Sequence, residues 1–146
     1  MTTIPKCILL VEDNPDDEML TLRGLRHGNI INEVIVAHDG QEALDYLFGS
    51  GERPRLVPTV VLLDLKLPKV DGLEVLRRIR TDERTKALPV VILTSSMHDQ
   101  DVVEGYKLGC NSYVRKPVDF DQFIEAARQL QLYWLVLNEI PPTLTS

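Results

Sequence analysis

The chain has 146 residues, a formal net charge of −6 and a pI near 5.0. That length suits one domain, and the acidity argues against a nucleic-acid partner, which needs clustered Lys and Arg. No apolar run approaches the roughly 18 residues that span a bilayer, and MTTIPKCILLVED lacks a cleavage site and runs its short apolar stretch into acids, so no membrane partner and a cytoplasmic location are expected.

Five short apolar runs alternate with helical patterns. CILLV (7–11) comes first. A helix over 15–29 follows, opening with Pro15 and the acids Asp16, Asp17 and Glu18 and closing with His27 and Gly28. Those three acids are read as partners of the helix dipole. EVIVA (33–37) precedes a helix over 39–51 with Ala43, Leu44 and Leu47 on one face. The polar segment 49–58 reads as a solvated loop. TVVLLDL (59–65) leads to a helix over 71–82 carrying Leu73, Leu76 and Ile79. PVVILTS (89–95) precedes a short helix over 99–109, and SYV (112–114) precedes the longest helix, 119–138. Runs apolar almost throughout fit a parallel sheet covered on both faces, and strand alternating with helix implies an α/β fold. Cys7 and Cys110 are far apart in apolar surroundings and read as small, reduced core residues. His27, His38 and His98 are scattered and read as surface residues.

In open α/β sheets ligands bind at the carboxyl ends of the strands. There the sequence places Glu12 and Asp13 after the first run, Asp64 and then Lys66 after the third, Thr94, Ser95 and Ser96 after the fourth, and Lys116 after the fifth. Two like charges about 4 Å apart repel by roughly 4 kcal/mol at an effective dielectric of 20. Three carboxylates therefore invite a cation, and an oxygen-only ligand set suits Mg²⁺. No cluster of His and Cys suits zinc. A carboxylate beside a cation can attack phosphorus, with an ammonium and a hydroxyl to receive the phosphoryl oxygens. The set amounts to a minimal phosphoryl-accepting site.

VEDN (11–14), LLDLKLPKVDG (62–72), ILTS (92–95) and SYVRKP (112–117) resemble, in order and spacing, the receiver domain of two-component response regulators. The resemblance runs from about Cys7 to Leu130. It implies a doubly wound, flavodoxin-like (βα)5 fold with strand order 2-1-3-4-5 and helices on both faces, and one receiver domain over 1–146, with a core of about 6–138 and a tail at 139–146. It implies that Asp64 accepts a phosphoryl group from a sensor histidine kinase. Asp13 and Asp64 would bind Mg²⁺ directly, Lys66 through its backbone carbonyl and Glu12 through water. Thr94 and Lys116 would engage the phosphoryl group, Tyr113 would rotate with Thr94, and Pro117 would follow a cis peptide bond. Such a protein is a signalling phosphoacceptor, not a substrate-turning enzyme. The alternative is a phosphorylation-independent scaffold or dimerisation module, against which the intact Asp13, Asp64, Thr94 and Lys116 argue. A flavin or nucleotide binder would need a glycine-rich loop where VEDNPDDE stands.

No output domain follows in this sequence, so output is expected through protein contacts. Phe123, Ala127, Leu130, Trp134 and Leu137 form one helical stripe, while Leu132, Tyr133, Leu135 and Val136 fall off it. That excess apolar surface suggests a homodimer through the last helix, with Val102, Val103 and Tyr106 alongside. The long 49–58 loop, the DLKLP motif and the aromatic last helix resemble the small regulators that partner bacterial phytochromes, implying a phytochrome-like kinase partner.

Overall fold

The computed structural model describes residues 7–27, 33–96 and 98–116. Its elements, in chain order, are β1 (Cys7–Val11), α1 (Pro15–His27), β2 (Glu33–Ala37), α2 (Gly40–Phe48), β3 (Val60–Leu63), α3 (Gly72–Thr81), β4 (Val90–Thr94), α4 (Asp99–Lys107) and β5 (Ser112–Arg115). The five strands form one parallel sheet in the order β2-β1-β3-β4-β5. The expected fold class and strand order are both observed. The helix expected over 119–138 lies outside the described residues.

The strands are apolar on both faces because both faces are covered, and the pleat still sorts their side chains by parity. Leu9, Val11, Val61 and Leu63 join Ala43, Leu44, Leu47, Val75, Leu76 and Ile79 of α2 and α3 in the larger core cluster. Ile8, Leu10, Val60 and Leu62 face the other way and pack with Leu22 and Leu25 of α1. A one-residue slip of β1 against β3 would exchange these two sets, so the apolar pattern also fixes the register Leu10↔Leu62 and Val11↔Leu63. Cys7 and Cys110 are buried free thiols, and burial raises the pKa of both.

Three local devices shape the loops around the strand ends. Asn14 caps α1, its Oδ1 accepting from the amides of Asp16 at 2.9 Å and Asp17 at 3.1 Å. Asp39 and Asp71 cap α2 and α3, accepting from Glu42 at 2.7 Å and Glu74 at 2.9 Å. Gly72 lets α3 start against β3: a Cβ there would lie 2.2 Å from the Asp64 carbonyl oxygen. The helix expected to reach residue 51 instead ends at Phe48, where Gly49 takes φ 86°. The loop after it is exposed only over residues 50–54. Its second half turns inward: Leu56 donates its amide to Tyr46 O at 2.6 Å, and Leu56 and Val57 pack on the larger core.

Candidate functional site

Strand order reverses at β1, whose chain neighbour β2 lies on one side and β3 on the other. The carboxyl ends of β1 and β3 are therefore adjacent, at the switch point where α/β sheets bind ligands. The ladder continues past the strand ends and fixes the site residues. The Glu12 amide donates to Ala37 O at 2.9 Å, that of Asp64 to Val11 O at 3.1 Å, and that of Lys116 to Thr94 O at 2.7 Å.

Glu12, Asp13 and Asp64 offer carboxylate oxygens that all lie within 4.8 Å of one another. Glu12 and Asp64 are buried and Asp13 is exposed, so the cluster is open to solvent on one side only. Lys116 reaches in from β5 with a side chain only 11% exposed. Its Nζ donates to Glu12 Oε1 at 2.5 Å, to Asp17 Oδ2 at 3.1 Å and to Asp64 Oδ2 at 3.5 Å. Burial pushes the Glu12 carboxyl up to about 7, the Lys116 hydrogen bond pulls against it, and neighbouring Asp64 adds to the rise. For Lys116 burial acts downward, but the surrounding carboxylates outweigh it and hold the ammonium above its ordinary pKa. One ammonium thus meets three carboxylates, and Asp13 adds a fourth beside them. That surplus of negative charge, presented as oxygen donors with an open side, fits a hard divalent cation.

Of the remaining expected residues, Thr94 ends β4, Lys66 follows β3 and Tyr113 lies within β5. Thr94 ends β4 fully buried, its Oγ1 accepting from the Ser96 amide at 3.3 Å. Ser96 in turn donates to Asp101 at the start of α4. The exposed Lys66 donates its amide to Asp64 Oδ1 at 3.3 Å. Tyr113 pairs with Ile92 in register and packs, half-buried, against the larger core. Pro117 lies outside the described residues. An open cleft of about 540 Å³ leads to Asp13 between the β3–α3 loop (Lys66, Leu67, Pro68) and the start of α4 (His98, Asp101). Sequence reasoning missed the contact of Asp17 with Lys116, having given Asp17 only a role toward the helix dipole. Its position three residues after the cap residue was visible, but a partner 99 residues away was not.

The family profile described as the response regulator receiver domain matches residues 8–128. The chain belongs to this family. It is 38% identical over 140 residues to response regulator Rcp1 of Synechocystis sp., an alignment covering 94% of each chain. It is 42% identical over 137 residues to the probable methanogenesis regulatory protein FilR2 of Methanothrix harundinacea, covering 94% of this chain and 88% of FilR2. Among solved structures, the bacteriophytochrome response regulator AtBRR is 53% identical, with a TM-score of 0.75 over 94% of this chain and 100% of that one. The Mn²⁺-bound form of Rcp1 aligns with a TM-score of 0.80 over 94% of this chain and 99% of Rcp1. Among the described residues no helix is long and apolar enough to cross a membrane.

Proposed function

We propose that this chain is a single-domain cytoplasmic response regulator that accepts a phosphoryl group on Asp64 from a sensor histidine kinase. The observation that carries the reading is the buried Asp64 carboxylate, within 4.8 Å of carboxylate oxygens of Glu12 and Asp13 and 3.5 Å from Lys116 Nζ. Asp13 and Asp64 would hold Mg²⁺ by their carboxylates, Lys66 by its carbonyl and Glu12 through water. The cation supplies charge that offsets the oxygens of the incoming phosphoryl group.

Asp64 is the nucleophile. One carboxylate oxygen forms a bond to phosphorus as the bond from phosphorus to the donor imidazole nitrogen breaks, and that nitrogen keeps the electron pair. Lys116 then donates to a phosphoryl oxygen, and the Thr94 hydroxyl turns from Ser96 toward another. Release of the Ser96 amide loosens the Ser96–Asp101 tie at the start of α4, which carries the change to the exposed Val103 and Tyr106. Tyr113, packed beside Gly105 of α4, follows the same movement. The cyanobacterial phytochrome response regulator RcpA and the bacteriophytochrome response regulator AtBRR are 37% and 53% identical to this chain, so a phytochrome-type kinase is the proposed donor. The output is altered protein contact, including a homodimer through Leu132, Tyr133, Leu135 and Val136, which lie outside the described residues. Sedimentation is expected to give a dimer, and Leu135→Asp a monomer; a monomer in both removes this part of the proposal.

Incubation with Mg²⁺ and acetyl phosphate tests the central step. A mass gain of one phosphoryl group is expected, lost in Asp64→Asn and on chelation. Label kept at full level by Asp64→Asn refutes the assignment.

A further inference from the structure

We propose that Asp17 is a positioning residue that competes with the phosphoryl group for Lys116; the inference rests on Asp64 being the phosphoacceptor. Asn14 caps α1, with Pro15, Asp16 and Asp17 as the first three helical residues. An acid in that third place ordinarily turns back to the cap residue's own amide. Here the Asn14 amide points to Glu12 Oε2 at 3.4 Å. The Asp17 carboxylate instead reaches across to β5 and takes Lys116 Nζ at 3.1 Å, a shorter contact than the 3.5 Å from that Nζ to Asp64.

An ammonium has three N–H donors. In this arrangement Glu12, Asp17 and Asp64 take one each. The N–H that meets Asp64 can pass to one phosphoryl oxygen of the phosphorylated residue, and a second phosphoryl contact requires Lys116 to give up another partner. Glu12 is 1% exposed and is itself placed by the cation cluster. Asp17 is about one-third exposed and lies outside that cluster. It is the partner that loses least when released, because water can replace the ammonium. Asp17 therefore holds Lys116 in the resting arrangement and must let go for two of its N–H donors to meet the phosphoryl group. Asp16 and Glu18 sit in the same helical turn but do not share this role: Asp16 is exposed, and Glu18 accepts from His38 at 2.7 Å.

The test is the initial rate of labelling by subsaturating acetyl phosphate at fixed Mg²⁺, in a double-mutant cycle on the full chain. Asp17→Asn is expected to label about three- to tenfold faster, the effect of freeing one partly exposed charged hydrogen bond. In a Lys116→Ala background the same substitution is expected to change nothing. Asp17→Glu is expected to restore much of the wild-type rate, and Asp16→Asn, which removes an equal charge from the helix start, to leave it unchanged. Mg²⁺ affinity, measured by calorimetry without phosphodonor, is expected to move less than about threefold in Asp17→Asn and to fall about tenfold or more in Asp13→Asn. An unchanged rate in Asp17→Asn, an equal gain in the Lys116→Ala background, or an equal gain in Asp16→Asn overturns the proposal. So does loss of Mg²⁺ affinity on the scale of Asp13→Asn, which would make Asp17 a ligand. Label retained by Asp64→Asn instead overturns the phosphoacceptor reading beneath it.

Discussion

Asp64 is placed as much by a missing side chain as by its neighbours. Gly72 brings the first turn of α3 so close that an added Cβ would lie 2.2 Å from the Asp64 carbonyl oxygen and 2.6 Å from Leu65 Cα, both backbone atoms. Backbone cannot swing aside as a flexible side chain does, so Gly72→Ala must displace either α3 or the strand end. It is expected to cost about 1–3 kcal/mol in urea unfolding, the usual scale of overpacking, and to slow labelling of Asp64 even where the variant is fully folded. A stable Gly72→Ala protein that labels at the normal rate would show that the acceptor's position tolerates the shift. The acids Glu12, Asp13 and Asp64 were legible in the sequence because each follows a recognisable apolar run. The fit of Gly72 against Asp64 was not, since that contact depends on where a loop of irregular backbone returns.

Helix α3 shows how a regular element can be read and its anchor missed. Its apolar stripe of Leu73, Leu76 and Ile79 was plain: Leu76 and Ile79 are fully buried, Leu73 packs half-buried on the core, and Val75 is fully buried beside them. Arg80 lies in the last turn of α3. In the fold it pins three segments together: Nε donates to Gly109 O at 2.9 Å, Nη1 to Leu88 O at 2.7 Å and Lys86 O at 3.2 Å, and Nη2 to Asn111 Oδ1 at 3.0 Å. Asn111 Oδ1 also accepts from the Val90 amide at 2.8 Å, so the cluster ties α3 and the α4–β5 turn to the start of β4. No local pattern announces partners 29 and 31 residues away. Arg80→Met keeps the apolar stem but removes every donor, and is expected to lower stability by about 2–4 kcal/mol in urea titration. The exposed side of the same helix gives a pH signature. Arg77 and Arg78 hold the Glu74 carboxyl down to about 2 from its ordinary 4.5. A depressed carboxyl contributes stability above its unfolded value and loses it as pH falls. Melting temperature is thus expected to drop between about pH 4.5 and pH 2, and Glu74→Gln to flatten that part of the profile. An identical acid limb in Glu74→Gln would remove the pair from the account.

At the scale of the molecule, the sheet gathers charge that the sequence keeps far apart. The chain carries −6 overall, and the fold brings Glu12, Asp13 and Asp64 within 4.8 Å with Asp17 beside them. Lys116 offsets one of these charges, so folding the metal-free chain must hold the rest together, and burial first, with Asp64 adding to it, raises the Glu12 carboxyl to about 7. A ligand that binds only the folded state stabilises it by RT ln(1 + [L]/Kd), so Mg²⁺ at about ten times its Kd adds roughly 1.4 kcal/mol. For a chain of this size that corresponds to a rise of about 4–6 °C in melting temperature. The rise is expected in wild type and in Lys116→Ala, where the cluster loses its counter-ion and draws the cation more strongly. It is expected to shrink to about a third or less in Asp13→Asn and to vanish with chelator. An Asp13→Asn melting temperature that climbs with Mg²⁺ as far as wild type would place the stabilising cation elsewhere on this acidic surface. A rise in wild type but not in Lys116→Ala would mean that the lysine, and not the repulsion among the acids, organises the site.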